Sequence, residues 1–290
     1  MIVDRNIKVF FFSRSCFLDN SSGAVVASRA MLKKLVLSGF SVTVITDHVF
    51  EKNVIISLQN IAKKLGARCE LALEESWKFS ETGLAISLPP HYRINLQGID
   101  LFIPYSPHTL QYVDSRNNSN FYRLCESSLL FNTPDILFCF GSDYESLQLQ
   151  KFCKDLQIPV VFFLHNTSYS TTAIFQYADI VTVPLFFARD YYKKSLGLDC
   201  VVMPNIIDNT CVFTHLRDPK YLLFVNPSSE KGVFLFARLA DMLGHSRPDI
   251  PILVVESRGT ERTLADCGLD LACYGNLFLM SNTTSPIDYL

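Results

Sequence analysis

Lys231 and Gly232 stand between a strand-length apolar run, Tyr221 to Val225, and a stretch from Val233 to Leu243 that is apolar except at Arg238 and Asp241. The pattern reads as a strand, a polar turn over Asn226 to Gly232, and a buried helix, the opening of a βαβ unit. A turn that feeds a helix presents unpaired backbone N–H groups and the positive end of the helix dipole. Lys231 adds a full charge there and Gly232 lets a ligand approach the backbone, chemistry that suits a phosphate. The competing reading has Ser228 or Ser229 capping the helix and Lys231 in solvent. A second candidate is His165, which directly follows VVFFL (Val160 to Leu164) at the carboxyl end of a buried strand, the ligand side of an open parallel sheet. Its alternative is a histidine bonded only to loop backbone. Gly23 is the third, in the polar turn SRSCFLDNSSG after the first strand.

The elements that must position these residues follow from periodicity. Lys8 to Ser13 reads as a strand, Ala24 to Ser38 as a helix stopped by Gly39, and Ser41 to Thr46 as a second strand. From 51 to 134 the signals thin: a helix near Val54 to Leu65, strands near Leu84 to Leu88 and Leu101 to Pro104, and a helix near Asn120 to Leu130. His91 and His108, beside prolines, read as surface residues, and Trp77 as packing. A second βαβ unit spans Asp135 to Leu164, followed by a strand to Val183, a helix from Phe186 to Leu196 ended by Gly197, and a short strand at Cys200 to Met203. The expected organisation is a domain over 1–205, a connector over 206–219 and a second domain over 220–290 with strands at Ile252 to Glu256 and Leu277 to Met280.

Composition narrows the chemistry. The chain has 290 residues, 49% of them hydrophobic, with mean hydropathy +0.20, enough for two cores. Its 26 basic and 28 acidic side chains give net charge −2, so there is no footprint for a nucleic-acid backbone and no Lys/Arg block suited to an anionic membrane. Nine cysteines without a CxxC pair, several in apolar runs, read as reduced core residues of a cytoplasmic protein. No run reaches membrane-spanning length, the N-terminus lacks a signal-peptide pattern, and the four N-x-Ser/Thr triplets are chance matches. The first turn is not a GxGxxG fingerprint, and Asp47, read as beginning a loop, is not placed to hold a ribose; both count against NAD.

Five segments in order resemble the two-domain GT-B glycosyltransferases, specifically the large retaining group called family 4. They are SSGAVVASRAMLKKLVLSGFSVTVIT, PVVFFLH, ADIVTVPLFFARDYY, VVMPNIID and LLFVNPSSEKG. The resemblance implies an α/β fold with a complete N-terminal doubly wound Rossmann-like domain on the acceptor side and an incomplete second, nucleotide-sugar-binding one. It implies transfer of a hexosyl-type sugar, with retention, from a nucleotide-sugar donor to a glycan, a lipid-linked sugar or a small molecule. Lys231 would meet the pyrophosphate, the helix at Gly232 would point at it, Gly23 would let the first loop approach the donor phosphates or the acceptor, and His165 would lie near the transferring sugar. No metal and no cofactor are implied, and the donor is a substrate; peripheral membrane contact stays open. There are departures: Asn226 stands where the family usually carries an arginine beside the pyrophosphate, Ile206 replaces a hinge glycine, Leu185 replaces a serine, and the family's pair of glutamates would fall beyond Leu290. The chain therefore resembles a C-terminally truncated member. Two other functions compete: a non-catalytic sugar- or nucleotide-binding relative, and a nucleotide-sugar epimerase, which would need a carboxylate or a second histidine in the cleft.

Overall fold

The computed structural model describes residues 7–50, 57–73, 76–79, 83, 85–105, 115–207 and 219–281, with the side chains of 76–79 and 115–118 outside the description. The chain divides into two compact units, Met1–Ile207 and Asp208–Leu290.

The first unit is built on a nine-stranded sheet. Its strands are β1 (Lys8–Ser15), β2 (Ser41–Val49), β3 (Cys69–Ala72), β6 (His91–Leu96), β7 (Ile99–Pro104), β8 (Ile136–Cys139), β9 (Val160–Phe163), β10 (Ile180–Val183) and β11 (Val201–Val202). They lie in the order β11-β10-β9-β8-β1-β2-β7-β6-β3, and β4 (Ser76–Phe79) with β5 (Ala85–Leu88) forms a separate antiparallel pair. Seven strands from β11 to β7 run parallel, while β6 and β3 close the edge antiparallel. The sequence order of strands reverses between β1 and β8. In a doubly wound sheet the crevice beyond the carboxyl ends at that switch point is where ligands bind.

The helices α1 (Gly23–Leu37), α2 (Leu58–Lys64), α3 (Ser115–Phe131), α4 (Tyr144–Asp155) and α5 (Phe186–Leu196) are dictated locally. Asp143 accepts a hydrogen bond from the Ser146 N–H at 2.9 Å and so caps α4, Ser57 caps α2, and Gly197, in the left-handed region, ends α5. Val9 to Phe12 are all buried because the sheet is covered on both faces. One core gathers Phe121, Leu149, Phe162 and Tyr192 on the α3 and α4 side; another gathers Phe11, Leu32, Val44 and Phe163 on the α1 side.

The second unit is a parallel three-stranded sheet, β12 (Leu222–Val225), β13 (Ile252–Val255) and β14 (Leu277–Met280), with α6 (Val233–Ser246) and α7 (Glu261–Asp266). Its core is Val233, Phe236, Ala237, Ala240, Ile252, Val254, Leu264, Leu269 and Leu277.

Several sequence expectations are corrected. α6 is not a buried helix: Val233, Phe236, Ala237 and Ala240 face the core, whereas Phe234, Leu235, Leu239 and Met242 are exposed, because only one face meets the sheet. The turn after β1 is not polar in its setting, since Cys16, Phe17 and Leu18 are buried in the core. Asp47 does not begin a loop; β2 runs on to Val49 and Asp47 is buried within it. His91 is not a surface residue but lies buried in β6, Nδ1 2.7 Å from the Pro89 carbonyl. The strands β3, β4 and β6 stand where no strand was expected. His108, Cys211 and most of the 206–219 connector lie outside the described residues.

Candidate functional site

Strand β9 delivers His165 to the carboxyl end of the first unit's sheet, with Leu164 still bonded to β10 through the Thr182 carbonyl at 2.8 Å. The imidazole is held edge-on to Phe140, centroids 5.5 Å apart at 87°, and to Phe163 at 6.0 Å and 74°. Its Nε2 lies 3.4 Å from the hydroxyl of Ser28, a buried residue on α1. His165, Ser28, Ala27 and Met31 line a small cleft of about 50 Å³ with Pro184 and Asn205 from the strand ends beside it. The cleft is mostly apolar, and His165 is its one ionisable side chain among the described residues.

Burial lowers the His165 pKa from 6.5 to about 4, so the ring is neutral near pH 7. The linkage has a definite sign. The folded state resists a proton that the unfolded chain accepts, so this stability is complete above pH 6.5 and is lost as pH falls towards 4. At about 1.4 kcal/mol per pH unit, the loss approaches 3 kcal/mol. Urea denaturation of the wild type and His165→Phe between pH 7 and 4 should show a steeper fall for the wild type; parallel curves would contradict the burial of a neutral ring.

The loop after His165 is fixed by a residue that the sequence did not single out. Tyr192, fully buried on α5, donates its hydroxyl to the Asn166 carbonyl at 2.8 Å and accepts from the Tyr169 N–H at 3.3 Å. The sign in the sequence is faint: a tyrosine on the helix face shared with Ala188. Tyr192→Phe keeps the packing and removes both bonds, so unfolding should cost about 1–2 kcal/mol less, and amide exchange at 166–169 should speed up. Unchanged exchange would show that the loop holds itself.

Gly23 is the first residue of α1. Nothing lies within 4 Å of where its Cβ would stand, the Ser22 side chain makes no cap, and the first turn carries no acidic residue. The helix end is therefore open. The loop leading to it is anchored: Cys16 N–H bonds the Val49 carbonyl at 2.7 Å, Phe17 N–H bonds Thr46 Oγ1 at 3.1 Å, and Arg29 donates to the Phe17 carbonyl at 2.8 Å. Beside it, Arg14 and Asp47 form a nearly buried ion pair at 2.7 Å, the guanidinium lying over Phe121.

In the second unit the turn between β12 and α6 carries Asn226, Lys231 and Gly232. Asn226 adopts φ 63°, a left-handed conformation that asparagine tolerates, and its Oδ1 accepts from the Gly259 N–H at 3.0 Å. That oxygen ties two turns together, so Asn226 has a structural duty at the position where the resembled family carries an arginine. Ser229–Lys231 forms a single 3-10 turn, and Gly232 at φ 81° swings the chain into α6, a conformation costly for other residues. Lys231 is exposed, with no ion-pair partner among the described residues, and the first turn of α6 has no acidic residue. The buried Ser228 hydroxyl likewise has no partner among the described residues, and no side chain caps α6, so the competing reading of a serine cap does not hold. The structure thus brings His165 and the α1 face together in one unit, and Asn226, Lys231 and Gly232 in the other. Among the described residues no cluster of His, Cys, Asp and Glu could hold a metal ion, and no helix is long and apolar enough to cross a membrane.

No family model matches the chain, and no curated protein matches its sequence. Solved structures do match. The catalytic domain of starch synthase IV from Arabidopsis thaliana, bound to ADP and acarbose, is similar with TM-score 0.64 at 11% identity, covering 97% of this chain and 75% of that one. WaaG, a glycosyltransferase involved in lipopolysaccharide biosynthesis, is similar with TM-score 0.53 at 12% identity, covering 95% and 70%. The UDP-GlcNAc 2-epimerase from Methanocaldococcus jannaschii is similar with TM-score 0.52 at 11% identity, covering 96% and 73%. At these identities the likeness establishes the fold, a GT-B-like α/β chain of two Rossmann-like units.

Proposed function

We propose that this protein is a glycosyltransferase that takes a sugar from a nucleoside diphosphate donor and passes it to a hydroxyl-bearing acceptor. The observation that carries the reading is the turn from β12 to α6. It combines an exposed lysine, a glycine at φ 81° and the uncapped amino end of a 14-residue helix without acidic groups in its first turn. A pyrophosphate fits such a place, because main-chain N–H groups and an ammonium neutralise it together. The shared fold with a starch synthase bound to ADP and with a lipopolysaccharide glycosyltransferase supports the assignment.

In this reading the second unit holds the donor, and the first, through Gly23 and His165, serves the acceptor. Departure of the nucleoside diphosphate is stabilised by Lys231 and the helix end, without a metal, and the sugar keeps its configuration. The protein works in the cytoplasm on a glycan, a lipid-linked sugar or a small acceptor.

Calorimetric titration with UDP, ADP and GDP tests this. One of them should bind the wild type, and Lys231→Ala should weaken it by about 1–3 kcal/mol, the range for a lost charged donor. An affinity that does not change would remove Lys231 from the site. The epimerase fold is the second reading, favoured by the likeness to the archaeal enzyme. Against it, the residues lining the His165 cleft include neither a carboxylate nor a second imidazole. Incubation with UDP-GlcNAc and an acceptor mixture separates the two: the sugar moves to an acceptor in one case and is inverted on its nucleotide in the other.

A further inference from the structure

Ser28 is buried on α1, and its hydroxyl has one partner among the described residues, His165 Nε2 at 3.4 Å. Two other helical serines give their proton to the carbonyl four residues back, Ser195 to Tyr191 and Ser246 to Met242, both within 2.8 Å, and Ser146 gives its proton to the Asp143 carboxylate at 2.7 Å. Ser28 makes no such bond. If Nε2 carried the imidazole proton, Ser28 could only accept, and its own O–H would be buried without an acceptor, which is unfavourable. The reverse arrangement gives the Ser28 proton an acceptor and moves the unpaired N–H to Nδ1 of a ring that is only partly buried and lines the cleft. We propose that Ser28 is a positioning residue that fixes the neutral His165 ring with its proton on Nδ1, so that the imidazole offers the cleft a hydrogen-bond donor rather than a base.

The Nδ1 atom has no partner among the described residues, and the ring lines the cleft. The group it would meet is an oxygen carrying partial negative charge, such as a sugar hydroxyl oxygen or a phosphoryl oxygen. This role in transfer rests on the glycosyltransferase reading; the tautomer itself does not.

The test is the ring's long-range 1H–15N spectrum in the ¹⁵N-labelled wild-type protein without ligand at pH 7. Nδ1 should resonate as a pyrrole-type nitrogen and Nε2 as a pyridine-type one. In Ser28→Ala both tautomers should be populated, and the ring pKa should rise by about half a unit, because the hydroxyl no longer competes with protonation at Nε2. Ser28→Thr, which keeps a hydroxyl, should restore the wild-type pattern. A proton on Nε2 in the wild type, or an Ala variant with unchanged tautomer and pKa, overturns the proposal. Absence of binding to every nucleoside diphosphate would instead defeat the glycosyltransferase reading and leave the tautomer assignment in place.

Discussion

Gly259→Ala is expected to destroy the ordered second unit, or to lower its stability by about 3 kcal/mol or more, the range of severe overpacking. A Cβ at 259 would lie 1.9 Å from the Pro227 carbonyl oxygen, 2.2 Å from the carbonyl carbon and 2.8 Å from the Ser228 nitrogen. All three are backbone atoms, so no side chain can rotate away. Relief requires the β12–α6 turn to part from the β13–α7 turn, which breaks the Gly259 N–H bond to Asn226. The core of this unit holds nine buried residues among the described ones, and a core of that size has little stability to lose. Hydrogen exchange across 222–264 together with urea unfolding measures this. A variant within 0.5 kcal/mol of wild type would mean that the two turns are not in contact. On the glycosyltransferase reading, nucleotide binding should fail in parallel, because the same turn carries Lys231.

The second large effect is expected at Asp47. Its carboxylate sits 2.7 Å from the Arg14 guanidinium, and only 5% and 11% of the two side chains is exposed. Burial pushes the Asp47 carboxyl above its usual range, and Arg14 opposes the shift. Glu145 is the next carboxylate of the cluster, at 4.0 Å from Arg14. Asp47→Ala removes the near partner of a charge that water scarcely reaches, a change that typically costs about 3–5 kcal/mol. Thermal and urea unfolding of the full chain would show it. Replacing both residues, Arg14→Met with Asp47→Leu, should recover much of the loss, since an apolar pair of similar volume avoids the desolvation cost. A single variant as stable as wild type, or a double variant less stable than the single, would show that the pair does not anchor this corner. The pair bears on the site because it lies at the end of β1, where the anchored loop begins that leads to α1 and Ser28.

Much of the frame was legible from residues alone. The parallel strands β1, β8, β9 and β13 announce themselves as apolar runs because most of their residues are covered on both faces, whereas β12 and β14 are apolar runs that leave Leu222, Val225, Phe278 and Leu279 exposed. Gly197 marks the end of its helix by residue type, whereas the Asp143 cap of α4 was seen only in the structure. The edge was not legible. In β6, HYRINL, buried and exposed residues alternate beside Pro89 and Pro90, and β3 has no buried residue. A short, half-solvated strand has little apolar signature to read.

The candidate site divides in the same way. His165 is found by its place directly after a buried strand, and Lys231 and Gly232 by the change of period from strand to helix. Each lies next to the element that positions it, so local order along the chain is sufficient. Ser28, 137 positions from its partner, is invisible as a contact until α1 is laid against the end of β9. The exposure of one side of α6, the burial of Asp47 and the duty of Asn226 towards Gly259 were likewise decided in three dimensions. Local propensity and periodicity belong to neighbouring residues, whereas burial and hydrogen-bond pairing depend on which distant segments come to rest together, and only the folded chain settles that.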